Sequence, residues 1–514
     1  MKKLCSLYSA MVLLLGLIIF TIQDVQARFG GGHSSSSHSS SSHSSSHSSS
    51  HSSFSGHSSS SWGSHSSSSS SSSDDIGFIV MIILIICVLY IIWNIYQNQP
   101  TIVINKSTEK RFDESQLIAF KERDFNFSRI VFLDFVHLLY VKYYSYYGKK
   151  DFDYLTPYLS DTVQHDKILD LLISNQVIII SEIVINSVRL FSITSTADED
   201  RIGVEIESNY TVHPAFHTEA SGKQHTRYAR SERWFFQRKK SLQSLPPEKM
   251  QALSCPSCGA AAHFTDAGEC KSCKTVIIKG QQQWYVKDRV VLNQSVLNSG
   301  DLVAYAEEQG TNLPTLSSPT LLQEIAAFEK QRTIVWSDYW NTFKQQIVQP
   351  YFLELNAAWT NHNLTKVRHL ISDRLYDANS FWMELYSHYR FNNRLDDLKI
   401  QDIQLVKIEL DKYYETITVR VFASCFDYTE DSNKKIIAGS NKKRRAYSEY
   451  WTFARRAGVE QNETGFDLNS CPQCGAHADK MGQSAICEYC GSKISTGQFS
   501  WVLFLITQDE NYRG

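Results

Sequence analysis

The 514-residue sequence has almost no net charge: 51 Lys and Arg face 53 Asp and Glu, a formal balance of −2. Only six charged side chains (Lys2, Lys3, Asp24, Arg28, Asp74 and Asp75) precede residue 97, which leaves 48 basic and 50 acidic residues for 97 to 514. A body this neutral lacks the positive field that binding to a phosphate backbone needs, so nucleic acid is excluded as a partner class. Glycine-rich phosphate loops are missing, as are Cys/His, Ser/His/Asp and paired-carboxylate arrangements. The chain is therefore read as non-enzymatic. Asp134, His137 and Glu232 could face a pocket, but a helix-face His or a strand Glu is usually a partnered structural residue. Beyond residue 96 there is no long apolar run, whereas two lie before it. The cysteines lack the scatter of an oxidised secreted framework: eight of the 11 fall in four Cys-x-x-Cys pairs, which reads as metal binding in a reducing compartment. Cys5, Cys87 and Cys425 stand outside the pairs and read as small apolar residues. The length excludes one compact domain, at roughly 100 to 200 residues per domain.

What is present begins with targeting. Residues 1–27 join a basic start (Lys2, Lys3) to an apolar stretch from Met11 to Phe20 and a small-residue end, Val25-Gln26-Ala27, the pattern of a secretory signal peptide. The alternative is an uncleaved first membrane helix with the same topology. Residues 33–73 hold 30 Ser and 7 His in 41 positions, so the segment 28–75 has almost nothing to bury and reads as a disordered extracytoplasmic tract. Its imidazoles (His33, His38, His43, His47, His51, His57 and His65) could gather weakly around a metal ion or gain charge as external pH falls, beside the plainer reading of a polar linker. Ile76 to Tyr96 is an apolar run of 21 residues, long enough for one transmembrane helix. Asp74 and Asp75 precede it and Lys106, Lys110, Arg111 and Lys121 follow it, which orients the tract outside and the body in the cytoplasm.

The body repeats itself. Cys255-Pro-Ser-Cys258-Gly-Ala returns as Cys471-Pro-Gln-Cys474-Gly-Ala, and Cys270-x-x-Cys273 returns as Cys487-x-x-Cys490. Trp284 and Trp501 each follow the last cysteine by 11 residues, with Gly280 and Gly497 four residues before them. Ser231-Glu232-Arg233-Trp234 answers Ser448-Glu449-Tyr450-Trp451, with Phe236 and Phe453 two residues on. Upstream, Leu159-Ser160-Asp161 answers Ile371-Ser372-Asp373, and Leu117-x-Ala119-Phe120 answers Ile325-x-Ala327-Phe328. An ordered series of this kind predicts two copies of one domain. In each, apolar residues at helical spacing (125–147 and 337–360) predict a long opening helix, and Ser-Asp then caps a second. Period-two stretches follow at 177–193, 202–212 and 226–237, and again at 400–410, 416–426 and 446–455. A last strand (283–291, 499–506) resumes after the cysteines, so each metal module interrupts an antiparallel sheet. The fold class expected is α+β: two helix-plus-curved-sheet cones, each with an inserted ribbon, behind one membrane anchor. Residues 97–124 and 293–324 are read as a juxtamembrane linker and an interdomain linker, with the domains at 125–292 and 325–508 and the ribbons at 255–273 and 471–490.

The spacings C-x2-C-x11-C-x2-C and C-x2-C-x12-C-x2-C suit two structural zinc ions, each held by four thiolates, with no position left for a reactive water. The ligands expected are Cys255, Cys258, Cys270 and Cys273, then Cys471, Cys474, Cys487 and Cys490, with Gly259, Gly475 and Gly491 at the tight turns. His263 and His477 lie nearby, outside a completed ligand set. Lys442-Lys443-Arg444-Arg445 is the densest basic run, open to anionic lipid or an acidic partner but read first as a solvated turn, and Gln237-Arg238-Lys239-Lys240 is a smaller one.

The Leu-Ser-Asp helix start, the Ser-Glu-x-Trp-x-Phe strand and the closing Trp501-Val502-Leu503 resemble bacterial relatives of the Tim44-like domain, named after the membrane-bound anchor of the mitochondrial import motor. That domain is similar to the cone-shaped fold of nuclear transport factor two. The resemblance covers about 125–290 and 325–508, with the second stretch clearer. Bacterial members are similar to this chain in having a signal peptide, a Gly/Ser-rich tract and one membrane helix. The doubling of the domain and the two ribbon insertions depart from the family pattern. The resemblance implies an inner-membrane, non-enzymatic protein-binding scaffold, linked to transport, with a partner of unknown identity. Two other uses stay open: ligand binding or catalysis in the cone pocket, and an envelope metal or pH sensor reading the Ser/His tract.

Overall fold

The computed structural model describes residues 112–147, 152–164, 178–214, 225–250, 253, 255, 257–260, 264–265, 268–303, 311–459, 470–477, 483–509 and 511–514. The signal segment, the Ser/His tract with its seven histidines, the 76–96 run, Lys106, Lys110, Arg111 and His263 lie outside them. Among the described residues no helix is long and apolar enough to cross a membrane.

The architecture is α+β, with two antiparallel sheets preceded by helices. The first half opens with α1 (Glu114–Arg123) and α2 (Arg129–Tyr147). Asp113 caps α1 by accepting the Ser115 N–H at 3.1 Å, and Lys121 and Arg123 sit in its last turn, where cations suit the helix dipole. The sheet runs in the order β1 (Ile178–Ser195), β2 (Glu199–Pro214), β3 (Thr226–Lys239) and β4 (Tyr285–Val296). In the second half come α3 (Leu321–Arg332), α4 (Trp336–Phe343), α5 (Gln349–Thr360) and α6 (Asp373–His388). A π-helical turn, Lys344–Val348, joins α4 to α5. It falls just before Pro350, which has no N–H to donate and whose ring crowds the carbonyl four residues back. The second sheet runs β5 (Asn392–Leu410), β6 (Tyr414–Glu430), β8 (Arg445–Arg456) and β9 (Val502–Gln508), with the short β7 (Ile436–Gly439) paired to β6.

The sheets bend in the same way. The β1–β2 register slips between Ser181 and Val184, Ile185 and Ser187, and Leu190 and Ser192; the β5–β6 register slips between Asp396 and Lys399, Ile400 and Asp402, and Leu405 and Lys407. At the first slip of each pair a non-glycine residue takes left-handed backbone, Glu182 at φ 49° and Asp397 at φ 49°. Extra residues of this kind increase local twist and curl the sheet. The opening helix of each half packs its aromatic face on the sheet: Phe132 meets Trp284 edge-on at 5.5 Å and Phe236 at 5.3 Å, while Phe343 meets Trp501 at 5.2 Å and Phe453 at 5.5 Å. Ser160 and Ser372 repeat one pattern as well. Each donates its backbone N–H to the last strand (Val286 O, 2.9 Å; Leu503 O, 3.0 Å) and its hydroxyl to the next carbonyl, while that hydroxyl caps the helix that follows.

Three boundaries differ from the sequence reading. Glu114–Arg123 is a helix whose Phe120 packs on Trp284 at 6.2 Å, so folded structure reaches back into the stretch taken as a juxtamembrane linker. The stretch taken as an interdomain linker contributes Asn293–Val296 to β4. Strand β5 starts eight residues before Ile400, because Asn392–Lys399 pairs with Ser424–Glu430 despite having no β-branched residue.

The halves also pack on each other within one compact unit. Helix α6 lies against β1, and Tyr414, Ala454 and Phe504 join the core built on α2. A partly buried charge cluster closes the seam: Glu114 binds Arg129 at 2.6 Å and Lys407 at 3.0 Å, and Glu409 binds Arg129 at 3.3 Å and Lys121 at 3.7 Å.

Candidate metal centres and the polar face of each sheet

Both cysteine quartets are assembled. Within Cys255, Cys258, Cys270 and Cys273, and within Cys471, Cys474, Cys487 and Cys490, the sulfurs all lie within 4.8 Å of one another. Measured pairs are Cys255–Cys273 and Cys258–Cys270 at 3.9 Å, Cys471–Cys490 at 3.9 Å and Cys474–Cys487 at 3.7 Å. Four thiolates around a tetrahedral ion at about 2.3 Å are separated by about 3.8 Å, so the donor sets fit such an ion without rearrangement.

The knuckles are made by backbone. Gly259, Gly475 and Gly491, each directly after a cysteine, take positive φ (71° to 74°) and donate to the carbonyl four residues back at 2.8 Å. Lys274 fills the fourth such position at φ 61° with the same 2.8 Å bond, so glycine is favoured there and not obligatory. The thiols are unequal. Hydrogen bonds from Thr275 pull Cys273 down to about 6, and those from Ser492 do the same for Cys490. Burial pushes Cys255 up to about 11 and Cys471 to about 12. A bound cation in each quartet would offset the cost of charging its buried thiol, Cys255 in the first and Cys471 in the second. His477 is exposed, outside the ligand set, and Cys425 is buried in the second core.

Each quartet sits between the last two long strands of its sheet, between β3 and β4 or between β8 and β9. The chain returns to the sheet through Gly280 and Gly497, whose carbonyls accept from Lys239 N at 2.7 Å and Arg456 N at 2.8 Å. Beside each return a buried arginine lies over the closing tryptophan: Arg238 over Trp284 at 4.2 Å and Arg455 over Trp501 at 4.5 Å. Arg238 pairs with the buried Asp124, and Arg455 pairs with Glu415 at 2.9 Å. The short basic run at 237–240 is thus not a solvated turn at Arg238, because strand alternation puts that residue on the inward face with Trp234 and Phe236.

The same inward face carries the Ser-Glu-x-Trp motif. Trp234 Nε1 donates to Glu232 at 2.6 Å, and Trp451 Nε1 donates to Glu449 at 3.0 Å. Glu232 is fully buried and also accepts from the Tyr144 hydroxyl, Arg230 and Arg289. Burial disfavours its charge, but Arg230 and Arg289 outweigh that and hold the carboxyl below its usual range. Of the other two polar residues read as possible pocket groups, His137 is half-buried on α2 and is pushed down to about 3 by burial and by the adjacent Arg374. Asp134, one turn earlier, is the counter-charge facing Arg374.

In the run at 442–445, Lys442 and Lys443 are exposed on the β7–β8 turn. Arg444 instead donates to the Asp397 carbonyl at 2.8 Å and the Ser424 carbonyl at 3.0 Å, and Arg445 pairs with Asp427 at 2.6 Å. The structure thus leaves the lysines available and commits both arginines to the protein itself.

Residues 341–471 match the model of the Tim44-like domain, from the end of α4 to the first cysteine of the second quartet. No curated protein matches the chain.

Proposed function

We propose that this chain is a membrane-associated, non-enzymatic scaffold that presents two copies of one Tim44-like domain, each braced by a structural zinc ion, to a protein partner on the cytoplasmic side of a bacterial inner membrane. The observation that carries the reading is the family match at 341–471. Paired features such as Arg238 over Trp284 and Arg455 over Trp501 favour duplication of the domain. Two four-cysteine sets with tetrahedral spacing favour zinc, and a site filled by four thiolates braces a fold without presenting a reactive water. The non-enzymatic reading draws on Glu232, whose oxygens are engaged by four donors within the sheet and helix. Anchoring is proposed from the apolar run at 76–96 and a link to transport from the family alone.

The test is in-membrane cross-linking of the full-length chain followed by identification of the adducts. A reproducible protein partner, lost when the second lobe is unfolded by Trp451→Asp, is the expected result. Recovery of nothing beyond what an unrelated anchored domain recovers overturns the scaffold reading.

A further inference from the structure

We infer that metal at the second cysteine quartet latches the junction between the two lobes, acting through helix α6. The inference rests on the zinc reading above and adds to it a role that the first quartet does not share.

The link starts at Arg368, which is only 2% exposed and sits in the turn before α6. A buried guanidinium needs its donors satisfied. Nε donates at 2.6 Å to the carbonyl of Gln483, in the loop between the two knuckles of the second ribbon. Another donor reaches Ile371 O at 3.2 Å, and the third binds the carboxylate of Asp373, the first residue of α6. Asp373 is also held from the ribbon side by Ser495 Oγ at 2.8 Å and by Lys493 Nζ, both within five residues of the ligand Cys490. The start of α6 is therefore fastened to the metal module at three points.

The other end of α6 is fastened to the first lobe. Trp382 Nε1 donates to Asn186 Oδ1 on β1 at 3.2 Å. The His388 ring lies 5.7 Å from that of His225, the residue before β3. A helix of 16 residues is a rod roughly 24 Å long, so disorder at its first turn is felt at its last. Small four-thiolate modules generally lose their fold with their metal. Loss of metal here removes Gln483 O, Lys493 and Ser495 from the helix start together and leaves Arg368 buried without its outer acceptor.

Among the described residues, the matching contact at the first ribbon is Lys279 to Asp161 at 2.6 Å, and the Asp161 side chain is 87% exposed against 41% for Asp373, so this ion pair contributes less. The two sites should consequently be separable in experiment.

The test is hydrogen exchange on the full-length protein, with metal content measured on the same samples. Wild type, Cys471→Ser, Cys255→Ser and Arg368→Ala are compared. Cys471→Ser is expected to lose one metal equivalent and to speed exchange at Trp382–His388 and at Val184–Val188 of β1 about tenfold. Cys255→Ser should lose one equivalent with those amides unmoved. Arg368→Ala should keep both equivalents and still speed exchange at the junction, which separates the latch from a general failure to fold. Restoring zinc to chelated wild type should restore protection. Junction amides that stay protected in Cys471→Ser or Arg368→Ala overturn the latch while leaving the metal reading intact. Wild type that carries no metal and takes up no zinc overturns the metal reading and the latch with it.

Discussion

Trp382 of α6 donates its indole N–H to Asn186 of β1 at 3.2 Å, a bond that joins the second half of the chain to the first across 196 residues of sequence. Both partners are buried, and Asn209 approaches the same Asn186 oxygen only at 3.5 Å. Replacing Trp382 with Phe keeps an aromatic ring but leaves that acceptor poorly satisfied. An unfulfilled buried acceptor costs about 1–3 kcal/mol. The expected result is a loss of about that size in urea denaturation of the whole chain. In a double-mutant cycle, Asn186→Ala and Trp382→Phe should couple by about 1 kcal/mol. Additive effects would show that this bond contributes nothing to holding the seam.

Glu232 makes a sharper case. It accepts from two arginines, an indole and a phenol and is fully buried, so removing it takes from Arg230 and Arg289 the carboxylate they share. Breaking a buried pair on one side costs about 3–5 kcal/mol. Glu232→Ala is expected to destabilise the first lobe by that amount. Glu232→Gln should be milder, since the amide oxygen can still accept from Trp234 at its present 2.6 Å position. A loss under about 1 kcal/mol for Glu232→Ala would mean that the arginines find other acceptors.

The two return glycines predict unequal outcomes for one substitution. Both take φ +75°, where a side chain costs about 1–2 kcal/mol. At Gly497 an added Cβ would stand 2.9 Å from the Arg455 Cα, and backbone cannot move aside cheaply. At Gly280 the nearest atom is the Tyr285 ring at 2.8 Å, which can rotate, and the Arg238 Cα is 3.5 Å away. Gly497→Ala should therefore lower the melting temperature more than Gly280→Ala. Equal shifts would place the whole cost in the backbone conformation.

Much of this was legible because strands alternate. Glu232, Trp234, Phe236 and Arg238 occupy every second position, as do Glu449, Trp451, Phe453 and Arg455, so each set shares one face. The apolar members announced that face from the sequence. Of the charged members, Glu232 reads from the sequence as a partnered structural residue, as it is in the fold, whereas Arg238 is assigned to a solvated turn although the period carries it inward too. The cysteine spacing announced four-sulfur clusters outright, since few other structures need that pattern. Long-range polar bonds gave no such signal. Asn392–Lys399 became strand through pairing with β6, not through its own residues. Arg368 and Trp382 gained their roles from neighbours 115 and 196 positions away, which no local period encodes.

Histidine burial sets the expected pH response. His137 is pushed down to about 3 by burial and by Arg374, with Asp373 opposing. His362 is lowered by burial against a hydrogen bond with Asn392. His225 is lowered by burial, by Arg227 and by the neighbouring His213 and His388, with Glu182 opposing. Each is neutral in the folded chain at a pH where the unfolded chain, near 6.5, already binds a proton. The unfolded state then holds more protons, so stability is full above about 6.5 and falls as the pH drops toward the lowered folded values. The urea midpoint is expected to decline steadily from pH 7.5 to 5. Acid also weakens thiolate ligation, but it does so in every variant alike, so the difference between wild type and His137→Gln isolates the imidazole. That variant should show the shallower decline, and identical slopes would mean that His137 opens to water and titrates normally.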